Sequence, residues 1–134
     1  MLILEFKVKG KPQQFSAIDE SIRTAQFIQN KCLRLWMDRK AKSKHDLNKY
    51  CAVLAKEFSF AHELNSMARQ SSAERAWSAI NRFYENCKKK IKPVGFPKFK
   101  KFCRSVEYKT SGWKLNAPKR VTFTDKKGIG ELKL

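Results

Sequence analysis

The stretch KKKIKPVGFPKFKK, residues 88–101, divides the chain into two parts with different sequence patterns. It holds seven lysines in fourteen positions, together with two prolines, one glycine and two phenylalanines. Pro93 and Pro97 oppose a helix here because proline fixes φ and has no backbone N–H. Apolar residues recur at helical spacing before the stretch, and short β-like runs follow it. The stretch therefore predicts the junction between a helical part and a β part.

Three helices are predicted before this junction. The first covers residues 15–40, where apolar side chains recur every three or four positions. The second covers residues 46–57, with Asp46 as its N-cap. The third covers residues 61–89 and carries an apolar stripe. The three stripes predict helices that share one core.

Runs with β character are predicted at both ends of the chain. Apolar side chains at positions 2, 4, 6 and 8 have the period of two that is typical of a strand. Four further runs follow the junction, separated by turn residues: SVEYKT (105–110), WKLN (113–116), RVTFT (120–124) and IGELKL (129–134). The first strand is expected to pair with the last ones. The sequence thus predicts an α+β fold in which the helices are inserted into a small β unit.

The charge of the chain is its most informative compositional feature. It has 30 Lys and Arg against 12 Asp and Glu, a net charge of +18. Residues 86–134 carry 15 basic and 3 acidic groups, a net charge of +12. Such an excess favours a polyanion partner, with nucleic acid first, an anionic membrane surface as the alternative, and a merely solvated basic surface third. No run of about 18 apolar residues predicts a membrane span, and no signal peptide is recognisable, so a cytoplasmic protein is expected.

The cysteines and histidines do not have the spacing of a metal site. Cys32, Cys51, Cys87 and Cys103 are single, no CxxC pair exists, and the chain has only two histidines. Cys32, Cys51 and Cys87 lie beside apolar residues and are expected to be small buried side chains in a reducing compartment. No metal or other cofactor is expected in this chain. No constellation of a nucleophile or a metal predicts catalysis, so the chain is not expected to be an enzyme.

Three segments together resemble a known family. They are IRTAQFIQNKCLRLW at 22–36, NSMARQ with AWSAINRFYENCKKK within 65–90, and above all VGFPKFKK at 94–101. They are similar to the N-terminal part of TnpB, a transposon-encoded protein long called a transposase and understood as an RNA-guided DNA endonuclease. The resemblance extends over essentially the whole chain.

The resemblance implies a layout for the fold. Residues 1–12 would supply the first strand of a small oligonucleotide-binding-like β barrel, called the wedge lobe. Residues 13–91 would form an inserted, three-helix recognition lobe with helix-turn-helix character. Residues 92–134 would form the basic hinge and the remaining strands of the barrel.

The resemblance also implies partners. Full-length members of the family carry a RuvC nuclease domain that uses Mg²⁺ and a zinc ribbon with two CxxC pairs, and this sequence contains neither. The chain is therefore expected to be a non-catalytic, nucleic-acid-binding fragment that acts in the prokaryotic cytosol, close to the nucleoid. Its expected partners are a guide RNA, a target DNA duplex and the missing C-terminal nuclease half.

In such a fragment the protein would recognise a short DNA motif beside the target, and guide pairing would recognise the rest. Gln70 matches the position of a base-contacting glutamine in the family, and glutamine fits adenine. Ser66 lies one turn earlier on the same helix face, and Arg69 borders that face. Further candidates for motif contact are Lys49 and Tyr50 on the second helix and Ser111 in the β part.

Lysine and arginine side chains are the candidates for contact with phosphates. Lysine is a point charge without fixed geometry, which suits backbone contact rather than base recognition. The candidates are Arg23, Lys31, Arg34, Lys88, Lys89, Lys90, Lys98, Lys100 and Lys101. Arg75 and Arg82 are additional candidates, with Glu74 and Glu85 as rival partners within the helix. Phe96 and Phe99 are expected to anchor the hinge by packing.

Two other functions remain open at this point. One is a stand-alone helix-turn-helix module of a DNA-binding transposase or repressor, which would bind a specific duplex without RNA. The other is an RNA-binding protein of the ribosomal type, which the charge alone suggests.

Overall fold

The chain folds into four helices followed by a small antiparallel sheet. The structure is a computed structural model that describes residues 2–92, 94–116, 118–124 and 128–134. In chain order the elements are α1 Pro12–Met37, α2 Lys44–Glu57, α3 Ser59–Glu63, α4 Ser66–Lys88, β1 Trp113–Asn116, β2 Arg120–Phe123 and β3 Glu131–Lys133. A single 3-10 turn, Thr110–Gly112, precedes β1. The predicted α+β class is confirmed.

Helices α1 and α2 agree with the prediction except at three of their ends: α1 begins and ends three residues earlier than predicted, and α2 begins two residues earlier. α1 begins at Pro12, whose fixed φ and missing N–H suit the first helical position. α2 is capped by Ser43 and not by Asp46, because the Ser43 hydroxyl accepts a hydrogen bond from the Asp46 backbone N–H. The Asp46 carboxylate instead accepts a 2.8 Å hydrogen bond from the Lys42 backbone N–H.

The prediction of one continuous helix over residues 61–89 is wrong. Leu64 is extended, with φ −72° and ψ 138°, and it separates α3 from α4. Asn65 is the N-cap of α4, and its side-chain oxygen accepts a 2.8 Å hydrogen bond from the Met67 backbone N–H. An asparagine that bonds its own backbone competes with a continuing helix, which is the physical reason for the break.

The main core lies between α1, α2 and α4. Small side chains on the buried face of α4 let the helices approach closely, and larger ones from α1 and α2 fill the space between them. The buried apolar residues of this core include Ile28, Cys32, Leu33, Leu47, Cys51, Leu54, Leu64, Ala68, Ala73, Ala76 and Ile80. Cys32 and Cys51 are buried as predicted. Cys87 is exposed, so that prediction is wrong; it lies in the last turn of α4, beyond the buried residues of that helix.

The sheet has its own, smaller core against the start of α1. Its strands are antiparallel in the order β1-β2-β3, and Val121 of β2 lies opposite Leu132 of β3. Val121, Ile129 and Leu132 are buried against Ala17 of α1. The Gln14 side-chain amide donates to the carbonyls of Ile129 and Glu131 and ties α1 to this end of the sheet.

Two predicted strands are not formed. Residues 2–8 are in no strand, and only a bridge between Lys9 and Lys133 joins this segment to β3. Their apolar side chains are exposed, so burial does not fix a strand register there. Residues 105–109 also lie outside any strand, because the extended chain there is held by helix side chains instead of by a neighbouring strand. Among the described residues the sheet stays open, with three strands and no closed barrel.

Some predicted features lie outside the described residues. They are Pro93 of the predicted junction, Ala117 of the predicted turn NAPK and residues 125–127 of the predicted turn DKKG; Met1 is likewise outside the described residues. No helix in the described part of the chain is both long enough and apolar enough to cross a bilayer.

Candidate nucleic-acid interface

An extended segment, residues 94–109, runs across the helical part. The Asn30 side chain of α1 holds its backbone twice: the amide donates to the Lys100 carbonyl at 2.9 Å, and the oxygen accepts from the Lys100 N–H at 2.8 Å. Gln26, one turn earlier on α1, accepts from the Cys103 N–H at 2.9 Å. Arg75 of α4 donates to the Ser105 carbonyl at 3.1 Å. Side chains from two helices therefore fix this segment in place.

Aromatic packing anchors the beginning of the segment. The Phe96 ring centroid lies 5.6 Å from that of Trp36 and 5.1 Å from that of Phe83. The Trp36 indole N–H donates to the Tyr84 hydroxyl at 2.8 Å, which joins the C-terminal halves of α1 and α4. Pro97 is buried. Phe96 makes the expected packing contacts, although it is 52% exposed. Phe99 is 43% exposed and has no ring contact with a described aromatic residue, so the expected anchoring by Phe99 is not confirmed.

Three neighbouring grooves follow the segment and carry most of the predicted phosphate contacts. A groove of about 430 Å³ on the α1 side is lined by Arg23, Lys31, Arg34 and Phe99. A groove of about 410 Å³ lies on the α4 side. Between these two, a groove of about 230 Å³ lies beneath the segment. This middle groove shares Asn30 and Phe99 with the α1-side groove, and it shares Arg82 and Lys100 with the α4-side groove. We call the cations along these grooves the basic belt: Arg23, Lys31, Arg34, Arg75, Arg82, Lys98, Lys100 and Arg104.

The cations of the belt differ in how far they are neutralised. Arg23 pairs with Glu20 at 2.8 Å and Arg34 with Asp38 at 3.2 Å, and these exposed pairs each contribute roughly 1 kcal/mol or less. Lys31 Nζ lies 5.6 Å from the centroid of the Phe27 ring. By contrast, five cations of the segment and of outer α4 form no ion pair within the described residues: Arg82, Lys98, Lys100, Lys101 and Arg104. Lys109, at the end of the segment, pairs with Glu74 of α4. Uncompensated positive charge is therefore concentrated on residues 98–104 and the neighbouring Arg82.

The three lysines at the end of α4 lie before the segment. Lys88 is 3.7 Å from the Glu85 carboxylate, and Lys89 is the C-cap residue of α4. Lys90 has a left-handed φ of 54°. All three side chains are exposed. Cations at a helix C-terminus also stabilise the helix, because they interact favourably with the negative end of its dipole. Their position suits phosphate contact and helix stabilisation equally.

The 3-10 turn that carries Ser111 packs against the start of α4, where Ser66 lies. Ser66 is the first residue of α4 and is exposed, and Gln70, one turn later on the same face, is half-buried. Gly112 packs so closely that an added Cβ would lie 2.8 Å from the Asn65 side-chain oxygen and 3.1 Å from the Met67 Cβ. The 3-10 turn that carries Ser111 therefore lies beside the first turn of α4.

Arg69 has a structural role that the sequence did not reveal. Its guanidinium Nη1 donates to the carbonyls of Ala61 at 3.3 Å, His62 at 2.9 Å and Leu64 at 2.6 Å. These carbonyls belong to the end of α3, which a continuous helix would have satisfied internally. Burial lowers the pKa of this guanidinium. A DNA contact by Arg69 stays a prediction, and its Nη1 already holds the break between α3 and α4.

Lys49 and Tyr50 lie in a separate groove of about 450 Å³. It is formed by α2 and the end of α1, and its lining contains Arg39, Lys40 and Lys42 but not Ser66, Gln70 or Ser111. Burial raises the pKa of the Tyr50 hydroxyl, and the Glu57 carboxylate raises it further. The neutral phenol is a hydrogen-bond donor. The six predicted motif residues are thus divided between two places.

Phe102 and Arg104 also line the α4-side groove and were not among the residues that the sequence predicted. Both lie in the same stretch of basic residues as the predicted lysines, which is the only signal that could have drawn attention to them. Among the described residues no group of three or more His, Cys, Asp or Glu side chains is placed to hold a metal ion. The chain matches no model of a known protein family, and no curated protein is significantly similar to it.

Proposed function

We propose that the chain binds nucleic acid as the non-catalytic N-terminal part of a TnpB-like, RNA-guided DNA nuclease. Its ligands are a guide RNA and a target DNA duplex, and its setting is the prokaryotic cytoplasm. The observation that carries the proposal is the basic belt. It combines a segment fixed by Asn30, Gln26 and Arg75 with lysines that have no acidic partner among the described residues.

Phosphates are the ligands that suit the belt. Its lysines lie on a backbone that is already ordered, so binding a phosphate costs side-chain entropy and little backbone entropy. A nucleic-acid strand following the three grooves would meet cations from α1, the segment and α4 in turn. This arrangement supports affinity without base specificity.

Recognition of the DNA motif is assigned to the start of α4. Ser66 and Gln70 lie on one helix face, and the 3-10 turn carrying Ser111 packs against the Asn65 cap. A glutamine there can offer a donor and an acceptor to an adenine edge in the major groove. Lys49 and Tyr50 would contact the duplex at a second place, in the groove beside α2.

The proposal includes closure of the sheet into an oligonucleotide-binding-like barrel by the N-terminal segment. The Lys9–Lys133 bridge, with backbone bonds of 2.6 and 3.0 Å, is where such pairing would begin. A C-terminal nuclease half, with Mg²⁺ and zinc sites of its own, would supply catalysis.

A second candidate is a stand-alone helix-turn-helix DNA-binding module. The observation that favours it is the α3–α4 pair, joined by only Leu64 and Asn65, with the exposed first turn of α4 available to enter a major groove. Such a module would need no RNA.

The deciding experiment captures the chain from its native host and sequences both the bound RNA and the bound DNA. The binding variant replaces Lys98 and Lys100 of the belt, together with the adjacent exposed Lys101, by Ala. The matched control replaces Lys7, Lys9 and Lys11 by Ala, which removes the same charge from exposed residues near the other end of the chain.

Enrichment of a transposon-end RNA by the wild type and the control, but not by the binding variant, is the expected result. A specific duplex enriched without RNA would support the stand-alone module. Equal losses in the two triple variants would contradict the assignment of phosphate contact to the belt.

A further inference from the structure

Phe102 is presented to solvent by a backbone that is held on both sides. Its side chain is 91% exposed, more than any other large apolar side chain among the described residues. The backbone is bonded to Asn30 two residues before it and to Gln26 one residue after it. A phenylalanine so exposed contributes almost nothing to the core, so packing does not account for it.

Cations surround this ring. Phe102 lines the 410 Å³ groove together with Arg75, Arg82, Lys100 and Arg104, and no acidic residue lines it. The side chains of Arg82, Lys100 and Arg104 have no ion-pair partner within the described part of the chain. Arg75 is held by its bond to the Ser105 carbonyl. The groove therefore combines one free aromatic face with several unused positive charges.

We propose that Phe102 is a stacking platform for one unpaired base of a single-stranded nucleic acid, with the flanking phosphates bound by Arg82, Lys100 and Arg104. This inference rests on the proposed function and goes beyond it by naming the form of the ligand. Single-strand-binding proteins combine aromatic rings with basic grooves in this way. A base inside a duplex already has neighbours on both faces, so the ring can stack only on a base that is unpaired or at an end.

The chemistry of the groove argues against other occupants. An apolar protein partner would have to bury four cations beside a single ring, and a second copy of this chain would bring another net charge of +18. Phenylalanine has no hydrogen-bonding group, so the platform tolerates any base. The strand can be RNA or single-stranded DNA, and parallel measurements on the two distinguish them.

The test compares three ligands of one sequence: a single-stranded RNA, the same strand as DNA, and a blunt DNA duplex long enough that nearly all of its bases have neighbours on both faces. Phe102→Ala removes the ring, Phe102→Leu keeps an apolar side chain without a π face, and Phe102→Trp keeps the stacking surface. Leu115→Ala is the matched control, because Leu115 is an exposed apolar residue in the sheet, outside the belt. Thermal unfolding of each variant checks the fold, which the exposed ring should not affect.

The expected result is a loss of about ten-fold in single-strand affinity for Phe102→Ala and Phe102→Leu. Phe102→Trp should bind as tightly as the wild type, and duplex affinity should change less than about two-fold in every variant. The salt dependence should not change, because no phosphate contact is removed. Photo-cross-linking from a 4-thiouracil base should label residues 98–104 of the wild type. A loss on RNA alone identifies RNA as the strand, and a loss on both shows that the 2′-hydroxyl is not used.

Three outcomes would overturn the inference. They are equal losses on single strand and duplex, full retention by Phe102→Ala, and full retention by Phe102→Leu. The proposed function fails separately, if the wild type itself binds none of the ligands in a salt-dependent manner.

Discussion

The helical part and the sheet bury their apolar residues on very different scales. The helices α1, α2, α3 and α4 enclose one continuous core. The small core of the sheet consists of Val121, Ile129 and Leu132 packed against Ala17 of α1. The sheet is also held from outside, by Gln14 of α1 and by Asn65 at the start of α4. The comparison indicates that the helical part is the stable scaffold and that the sheet depends on it.

The largest effect is expected from one cavity in each core, and it tests whether the sheet depends on the helical part. Ile80→Ala should lower the free energy of unfolding by about 3 kcal/mol, within the usual range of roughly 2–5 kcal/mol, because Ile80 is fully buried between helices. Leu132→Ala, at an equally buried site of the sheet, should leave the helical transition nearly unchanged. Denaturant unfolding followed by circular dichroism at 222 nm measures the first effect.

Amide hydrogen exchange in β2 measures the second effect, and Leu132→Ala should reduce protection there. A loss of helical stability in Leu132→Ala as large as that in Ile80→Ala would show that the two parts unfold as one unit and would contradict the comparison.

A smaller effect is expected where the two parts meet. Asn65 accepts from the Met67 N–H with its oxygen and donates to Thr124 with its amide nitrogen, so it caps α4 and holds the sheet at once. Asn65→Ala should cost about 1 kcal/mol of helix stability and also loosen the sheet. Asn65→Asp is the matched variant, since it keeps the capping acceptor and loses the donor. It should retain helix stability and lose β2 amide protection; full retention of both would contradict the role of the donor.

A change at Gln70 tests recognition and not stability. Gln70→Ala should weaken binding to one preferred duplex by about 1–2 kcal/mol and leave other duplexes and the salt dependence unaltered, because a single base contact is lost. Titration of a randomised duplex library against both proteins measures the effect. Gln13→Ala, at an exposed site in the first turn of α1, is the control. Equal weakening on every duplex would defeat the assignment of Gln70 to the motif.

The smallest effect is expected on lowering the pH, which titrates one carboxylate in the helical part, Asp46, and one in the sheet, Glu131. Hydrogen bonds from the Lys42 backbone lower the pKa of Asp46, and hydrogen bonds from Arg120 and Asn116 lower the pKa of Glu131. A depressed folded-state pKa gives stability that is present above the unfolded-state value and is lost as pH falls through the folded-state value. Side-chain NMR between pH 7 and pH 2 should show Asp46 titrating below 3.8 and Glu131 below 4.5.

The two acids also separate the parts. If the sheet depends on the helices, Glu131→Gln at neutral pH, which removes this carboxylate while Asp46 stays ionised, should reduce amide protection in β3 and leave α2 protected. A Glu131 carboxyl with its ordinary pKa would show that the pair with Arg120, at 3.0 Å, does not form in solution.

Local patterns predicted the elements whose partners are close in sequence. The helical periodicity of residues 15–40 and 46–57 agrees with α1 and α2, and the runs after residue 112 agree with the three strands. The sequence did not predict the break at Asn65 because the apolar stripe continues across it. The break depends on a single side chain, Asn65, which caps the backbone N–H of Met67. Residues 2–8 and 105–109 have a strand-like pattern but form no strand. A strand needs a hydrogen-bonded partner strand, and neither segment has one in the described part of the chain.

The site was predictable as a set of residue types and not as an arrangement. Lysines of the junction had to be exposed because a buried, unpaired charge is too costly, so their candidacy followed from the sequence. Which cations face one another depended on where Asn30, Gln26 and Arg75 hold the extended segment. Arg69 was predicted to contact DNA, but its guanidinium is largely occupied by hydrogen bonds inside the fold. Phe102 was not predicted, and its ring is exposed to solvent.

The sequence by itself determined the charge, the helical periodicity and the junction at residues 88–101, because these depend on composition and on neighbours a few positions apart. Only the tertiary structure decided which segments pair, which cations remain unpartnered, and that Phe102 stays in solvent beside Arg82 and Lys100. The physical reason is that exposure and ion pairing depend on contacts between residues about 70 positions apart, such as Asn30 with Lys100. Those contacts exist only after the helices have packed.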